Sequence, residues 1–320
     1  MLVDWPLEQL RAYRPPRREP DDYDDFWRTT LRQARDRAGA PAFERYEAGL
    51  TTVTVDDVTF TGFDGQPVRG WLYLPRGASE PLPCVVEYAG YSGGRGLAHE
   101  SLMWSAAGYA HFVMDTRGQG SGWRVGHTPD PDPDGGPSTG TFVTRGILHP
   151  DTYYYRRLFT DAVRAVDTVR EHALVDADRI VVAGHSQGGA AALAAAGLVH
   201  DVAGAIPDQP FLSHVRRATE IIEGLYGDFA AFCRTHPDQA ERVFDTLDYF
   251  DAVNFAARAQ APALFSAGLM DAVCPPSTIF AAYNHYAGPK DIRVWPHHGH
   301  TGPAGFHQVE QMAFVRQLMA

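Results

Sequence analysis

The sequence predicts an α/β fold, a mostly parallel central sheet with helices on both faces. Three observations predict it. Short apolar runs at residues 84–86, 111–114, 180–183, 202–206, 263–267 and 292–295 alternate with helical stretches, and strands buried on both faces read as such runs. Ahead of them, alternation at residues 52–55 and 58–60, a turn at Asp64-Gly65 and a further run at 68–74 read as an antiparallel hairpin. The run at 180–183 leads into Gly184-His185-Ser186-Gln187-Gly188, and the small residues of 189–199 lead out. That is a strand, a tight turn and a helix with a serine at the apex.

Each element follows in order. Residues 1–40 carry Trp5, Leu7, Leu10, Phe26, Trp27 and Leu31 around Pro15-Pro16, which predicts an N-terminal helical extension of one or two amphipathic helices packed outside the fold. The acidic cluster Glu19-Pro20-Asp21-Asp22-Tyr23-Asp24-Asp25 reads as a solvated helix start, because acids suit the first turn. Residues 121–146, with Pro129-Asp130-Pro131-Asp132-Pro133-Asp134-Gly135-Gly136, hold too many turn formers for regular structure and read as a long excursion. Residues 211–260 are helical in pattern and exceed one crossover, which predicts a cap-like insertion over the carboxyl ends of the strands. No Ser/Gly-rich or charge-rich linker divides the 320 residues, so a single domain, 1–320, is expected.

Composition narrows the function. Hydrophobic residues make up 44% and aromatics 12%, enough for a large core, and the longest apolar stretch is broken by Gly197, His200 and Asp201, far short of a membrane span. The opening Met1-Leu2-Val3-Asp4-Trp5-Pro6 lacks a basic segment followed by a long apolar one, so a cytoplasmic protein is expected. Cys84, Cys233 and Cys274 are odd in number and widely spaced, which predicts reduced thiols rather than a disulfide framework or a zinc site. A net charge of −11 repels phosphate backbones and anionic lipid, so neither nucleic acid nor membrane is an expected partner.

The serine motif needs more than a turn. A serine hydroxyl is a weak nucleophile until a base takes its proton and an acid orients that base. In this topology the chain order is Ser, Asp, His. Asp271 follows the run at 263–267, and His297, His298 and His300 follow the run at 292–295. Position alone does not separate His298 from His300. Three close histidines could hold a metal, but no further ligand stands at helical or hairpin spacing, so no metal is expected. His185 and His285 read as rim or packing residues. An acyl-transfer intermediate also needs two backbone N–H donors for its oxyanion. One is that of Gln187, after the serine and at a helix N-terminus; the other is assigned to Tyr91 in the glycine-bearing loop Tyr88-Ala89-Gly90-Tyr91-Ser92-Gly93-Gly94.

These residues resemble a known family, the acetyl xylan esterases and cephalosporin C deacetylases of carbohydrate esterase family seven. Its marks are an Arg-Gly-Gln triplet, a Gly-x-Ser-Gln-Gly elbow and a late His-Glu pair; here they read Arg117-Gly118-Gln119, Gly184-His185-Ser186-Gln187-Gly188 and His300-Thr301. The resemblance extends through Gly146-Ile147-Leu148, Asp151-Thr152-Tyr153-Tyr154-Tyr155-Arg156, Tyr249-Phe250-Asp251 and Pro275-Pro276-Ser277-Thr278, nearly the whole chain. It implies an α/β-hydrolase fold with Ser186 as nucleophile, His300 as base, Asp271 as its orienter, and Tyr91 and Gln187 as the oxyanion hole. Arg117 and Gln119 are then a hydrogen-bonding brace beneath the site. The resemblance further implies a small acetylated substrate (acetylated xylo-oligosaccharide or cephalosporin C type), no cofactor, and a ring-like homohexamer. Thr301 departs from the family's glutamate. The rival expectation is a carboxylesterase or peptidase of the same fold with another acyl preference, although no propeller-like repeat precedes the catalytic region.

Overall fold

The computed structural model describes residues 3–131 and 138–320. Two helices come first, α1 (Leu7–Ala12) and α2 (Tyr23–Asp36). α2 buries Tyr23, Trp27, Leu31 and Ala34, one stripe at helical spacing, and the Trp27 indole donates to the Tyr249 carbonyl at 3.0 Å. The acids Asp24 and Asp25 occupy its first turn.

Three antiparallel strands follow: β1 (Ala42–Tyr46), β2 (Val53–Thr61) and β3 (Pro67–Pro75). β2 and β3 are the expected hairpin, β2 shifted by one residue and β3 longer by one at each end, whereas β1 is an edge strand without apolar alternation. The chain then alternates: β4 (Leu82–Tyr88), α3 (Met103–Ala106), β5 (Ala110–Met114), α4 (Tyr154–Val169), β6 (Val175–His185), α5 (Gln187–Leu198) and β7 (Gly204–Asp208). Residues 211–260 form α6 (Val215–Ile221), α7 (Leu225–Thr235), α8 (Ala240–Asp248) and α9 (Ala252–Ala256). β8 (Ala263–Gly268), α10 (Pro276–His285), β9 (Lys290–Trp295) and α11 (Gly305–Met319) close the chain. Among the described residues no helix is long and apolar enough to cross a membrane.

The strands form one sheet in the order β1-β2-β3-β5-β4-β6-β7-β8-β9, and the six from β5 to β9 run parallel. Alternate residues feed two layers. Cys84, Val86 and Tyr88 of β4 enter one core with α4 and α5, while Val85 enters the other with Trp104 of α3 and Val315 of α11. Each such side chain stabilises the fold by about 1.5–3 kcal/mol. Strand order reverses between β4 and β6, and ligands of open parallel sheets bind at the carboxyl ends beside such a reversal.

The segment 121–146 carries a single 3₁₀ turn, Phe142–Thr144, among its described residues; the stretch 132–137, which includes Asp132-Pro133-Asp134-Gly135-Gly136, lies outside them. Its near side is pinned by Asp130, whose buried carboxylate meets Arg117, Arg145 and Arg157.

Candidate active site

β6 carries the serine motif to the carboxyl edge of the sheet, and α5 starts one residue later. At the apex Ser186 has φ 59° and ψ −117°, a backbone that non-glycine residues rarely adopt and that tertiary bonds must hold. Its N–H donates to the Asp208 carbonyl at 2.9 Å, and its carbonyl accepts from Ala190 and Phe211 at 3.0 Å each. A Cβ at Gly184 would fall on the Gly188 backbone, and one at Gly188 on the Tyr88 carbonyl. The turn therefore closes only with glycine at both places. Tyr88 pairs with Gly184 across β4 and β6, which sets the loop after β4 beside the serine.

Asp271 follows β8 and His300 follows β9. Asp271 is fully buried; its Oδ1 accepts the N–H groups of Val273 and Cys274 at 2.8 Å each, and its Oδ2 stands 2.9 Å from His300 Nδ1. Two amide donors on one oxygen leave the other aimed at the imidazole. The Cys274 thiol, an Asp271 carboxylate oxygen and a His300 ring nitrogen lie within 4.8 Å of one another. Side chains that follow β8 and β9 thus gather at the same edge of the sheet as the Ser186 turn after β6. Of the competing histidines, His297 is exposed and His298 packs edge-on against Trp295; His300 is the one on Asp271.

Gln187 opens α5, at the positive end of the helix, and Tyr91 lies in the loop after β4. Among the described residues, the backbone N–H of neither donates to a backbone acceptor, so both are free to meet an anion. The Tyr91 loop is held on three sides. Ser92 N–H donates to Gln119 Oε1 at 2.6 Å, the Trp123 indole donates to the Tyr91 carbonyl at 2.9 Å, and Phe142 N–H donates to the Tyr91 hydroxyl at 3.0 Å.

Residues 1–318 match the family model described as acetyl xylan esterase (AXE1). The chain belongs to the acetyl xylan esterase family. The acetyl xylan esterase from Paenibacillus sp. R4 superposes with a TM-score of 0.93 at 40% identity, over 98% of this chain and 99% of that one. Acetyl xylan esterase 1 from Thermoanaerobacterium sp. JW/SL YS485 gives 0.91 at 32% identity, over 99% and 100%. The acetyl esterase Axe7A of Xylanibacter ruminicola is 25% identical over 95% of this chain and 69% of its own length. The chain is a carboxylic ester hydrolase, and membership in the acetyl xylan esterase family carries acetyl-ester hydrolysis with it.

In this esterase the Arg-Gly-Gln triplet lies under the loop after β4. Arg117 is fully buried, paired with both oxygens of Asp161 and donating to Gln66 Oε1 at 2.6 Å. Burial opposes its charge, but Asp161 outweighs burial and its pKa stands above the usual value. Gln119 Nε2 donates to Tyr154 Oη and to Gln187 Oε1, each at 2.9 Å, and Tyr155 Oη donates to the same Gln187 oxygen at 3.0 Å. Gln119 therefore ties the Tyr91–Ser92 loop to Gln187. Thr301, in place of the family's glutamate, is exposed.

Sequence reasoning missed two contributors and read a third, His185, only as a rim or packing residue. His185 Nε2 stands 2.6 Å from the His300 carbonyl oxygen and its ring lies 4.6 Å from that of His300, so it buttresses the histidine loop. Tyr155 carries no sequence signal for its reach to Gln187, 32 residues on. Cys274 could have been noticed three residues after Asp271, a spacing at which a backbone N–H bonds an aspartate side chain; the approach of its sulfur to His300 is purely tertiary.

Proposed function

We propose that this esterase deacetylates small esters through an acetyl-enzyme formed on Ser186. His300 takes the hydroxyl proton as the oxygen attacks the acetyl carbonyl, and Asp271 holds the imidazole in the tautomer that leaves Nε2 free to accept it. The N–H groups of Tyr91 and Gln187 meet the oxyanion, each worth about 3 kcal/mol in the transition state. His300 then returns the proton to the leaving alcohol, and water activated by the same imidazole releases acetate. Arg117 and Gln119 act as the brace. The observation that carries the reading is the 2.9 Å bond between His300 and the buried Asp271, at the sheet edge where the strained Ser186 turn stands.

The names of the relatives support acetylated xylan-type substrates, and the family resemblance adds cephalosporin C type acetates and a homohexamer. Residues 1–320 form one catalytic unit in this reading, with 211–260 as a cap. Supporting the cap, α7 packs against the turn at 142–144, where the Phe142 N–H donates to the Tyr91 hydroxyl. Purified protein is assayed on both substrate classes side by side and on p-nitrophenyl esters from acetate to hexanoate, with its mass measured in solution. Each added methylene changes discrimination by about 1–3 kcal/mol in a short-acyl pocket, so rates fall steeply beyond acetate. A flat series, or near-normal activity in Ser186→Ala, overturns the reading.

A further inference from the structure

Cys274 has no task in the hydrolytic cycle, yet its sulfur stands beside Asp271 and His300. It is fully buried, as is Asp271, while the His300 side chain keeps 20% of its surface in solvent. Its sulfur, an Asp271 oxygen and a His300 ring nitrogen, all within 4.8 Å of one another, are three chemically different ligand atoms.

We infer that Cys274, Asp271 and His300 form an inhibitory site for a thiophilic divalent cation such as Zn²⁺ or Cd²⁺. The inference rests on the assignment of His300 and Asp271 to the hydrolytic relay. In a tetrahedral zinc site the bonds run about 2.0–2.3 Å, which places ligand atoms about 3.4–3.6 Å apart. From the 4.8 Å outer limit this needs a contraction of up to about 1.4 Å, taken up by a rotation of the His300 ring, whose side chain is 20% exposed. Charge favours it: a thiolate and a carboxylate neutralise a dication in a buried place, where an uncompensated charge would be costly. The thiol releases its proton to solvent as the sulfur–metal bond forms. Burial keeps that thiol protonated in the metal-free protein, so the cation must displace a proton to enter. Water or the Ser186 hydroxyl completes the tetrahedron. Ca²⁺ and Mg²⁺ do not suit the site, since they require six or more oxygen ligands, or near-octahedral ones, and Asp271 Oδ1 is already taken by two amides. With the base and its orienter bound to the ion, the serine has no proton acceptor.

The test uses chelator-treated full-length protein and p-nitrophenyl acetate. Micromolar Zn²⁺ or Cd²⁺ lowers turnover at least about tenfold, EDTA restores it, and Ca²⁺ and Mg²⁺ do nothing. In C274A, compared with its own metal-free rate, the inhibition constant rises at least about tenfold; C274S, closer in volume, repeats the measurement should C274A fold poorly. Cd²⁺ also produces a thiolate charge-transfer absorption in the ultraviolet, which C274S abolishes and C233S, at the half-buried Cys233, retains. Wild type indifferent to both cations, or C274A and C274S as sensitive as wild type, overturns the inference. The absorption needs no catalysis, so it decides for the cation site whether or not metal-free protein hydrolyses acetate; an inactive metal-free protein overturns only the functional reading.

Discussion

Replacing Asp271 by asparagine removes one charge while keeping the shape of the side chain, and the structure dictates how the amide must sit. Oδ1 is fixed by two backbone donors, Val273 and Cys274, at 2.8 Å each. An amide NH₂ there would face two N–H groups, so the oxygen stays on the backbone and the NH₂ turns to His300. Where Oδ2 now stands 2.9 Å from Nδ1, a donor would meet a donor unless the imidazole moves its proton to Nε2. In that tautomer His300 accepts from asparagine and cannot accept from Ser186. The expected loss in kcat for D271N is of order 10⁴-fold, the effect of tautomer inversion in serine hydrolases, or about 5 kcal/mol in the barrier. KM changes little, because the substitution touches no substrate contact. Steady-state kinetics on p-nitrophenyl acetate, with thermal melts to show that D271N is folded, measure it. A folded D271N whose kcat lies within about tenfold of wild type would refute the relay.

Two further outcomes follow from the same geometry. Gln119→Ala leaves the Ser92 N–H without its acceptor and removes one of the two donors to Gln187 Oε1; kcat should fall about 10–100-fold with KM nearly constant, and stability by about 1–3 kcal/mol, read from steady-state kinetics and urea melts. A structural role alone would lower the melting midpoint and spare kcat per folded molecule. Burial, reinforced by the charge of Asp251, raises the Asp248 carboxyl to about 7. The folded state then holds that proton while the unfolded chain releases it near pH 4, so this group costs stability progressively as pH rises from about 4 to about 7, and no more above. Asp248→Asn should be about 1–2 kcal/mol more stable than wild type at pH 8, after allowance for partial solvent screening, with the gain vanishing near pH 4. Denaturant midpoints of the two proteins across that range measure it, and a constant difference would sink the assignment.

The serine elbow was legible because steric demand is local: glycine at 184 and 188 and a serine between them can be read without knowing any partner. The alternating apolar runs likewise gave the parallel strands, since burial on both faces leaves an imprint on every residue. β1 left none. Residues 42–46 are mostly exposed, and pairing with β2 and the Arg45–Asp56 ion pair hold the strand, both of which lie in the tertiary structure. β7 was expected at 202–206 and runs Gly204–Asp208. Gly204 and Pro207 read as breakers, while their place in the strand is set by register against Val181 and Gly184 of β6. Among the histidines, chain position left His298 and His300 equal; the family resemblance chose His300, and the bond to Asp271 agrees. Gln119 was expected in a brace, but the thread from Ser92 through Gln119 to Gln187 and Tyr155 joins residues far apart in sequence and carries no periodic signal.

The most direct test of the central claim is to mix the protein with an activated acetyl ester, quench in acid within the first turnovers, and map the acetyl group by peptide mass spectrometry. The account predicts acetyl on Ser186, formed in a burst and lost on further incubation, and none in S186A. Steady hydrolysis with no acetyl on Ser186, or with acetyl on a different residue that turns over at the catalytic rate, would contradict it.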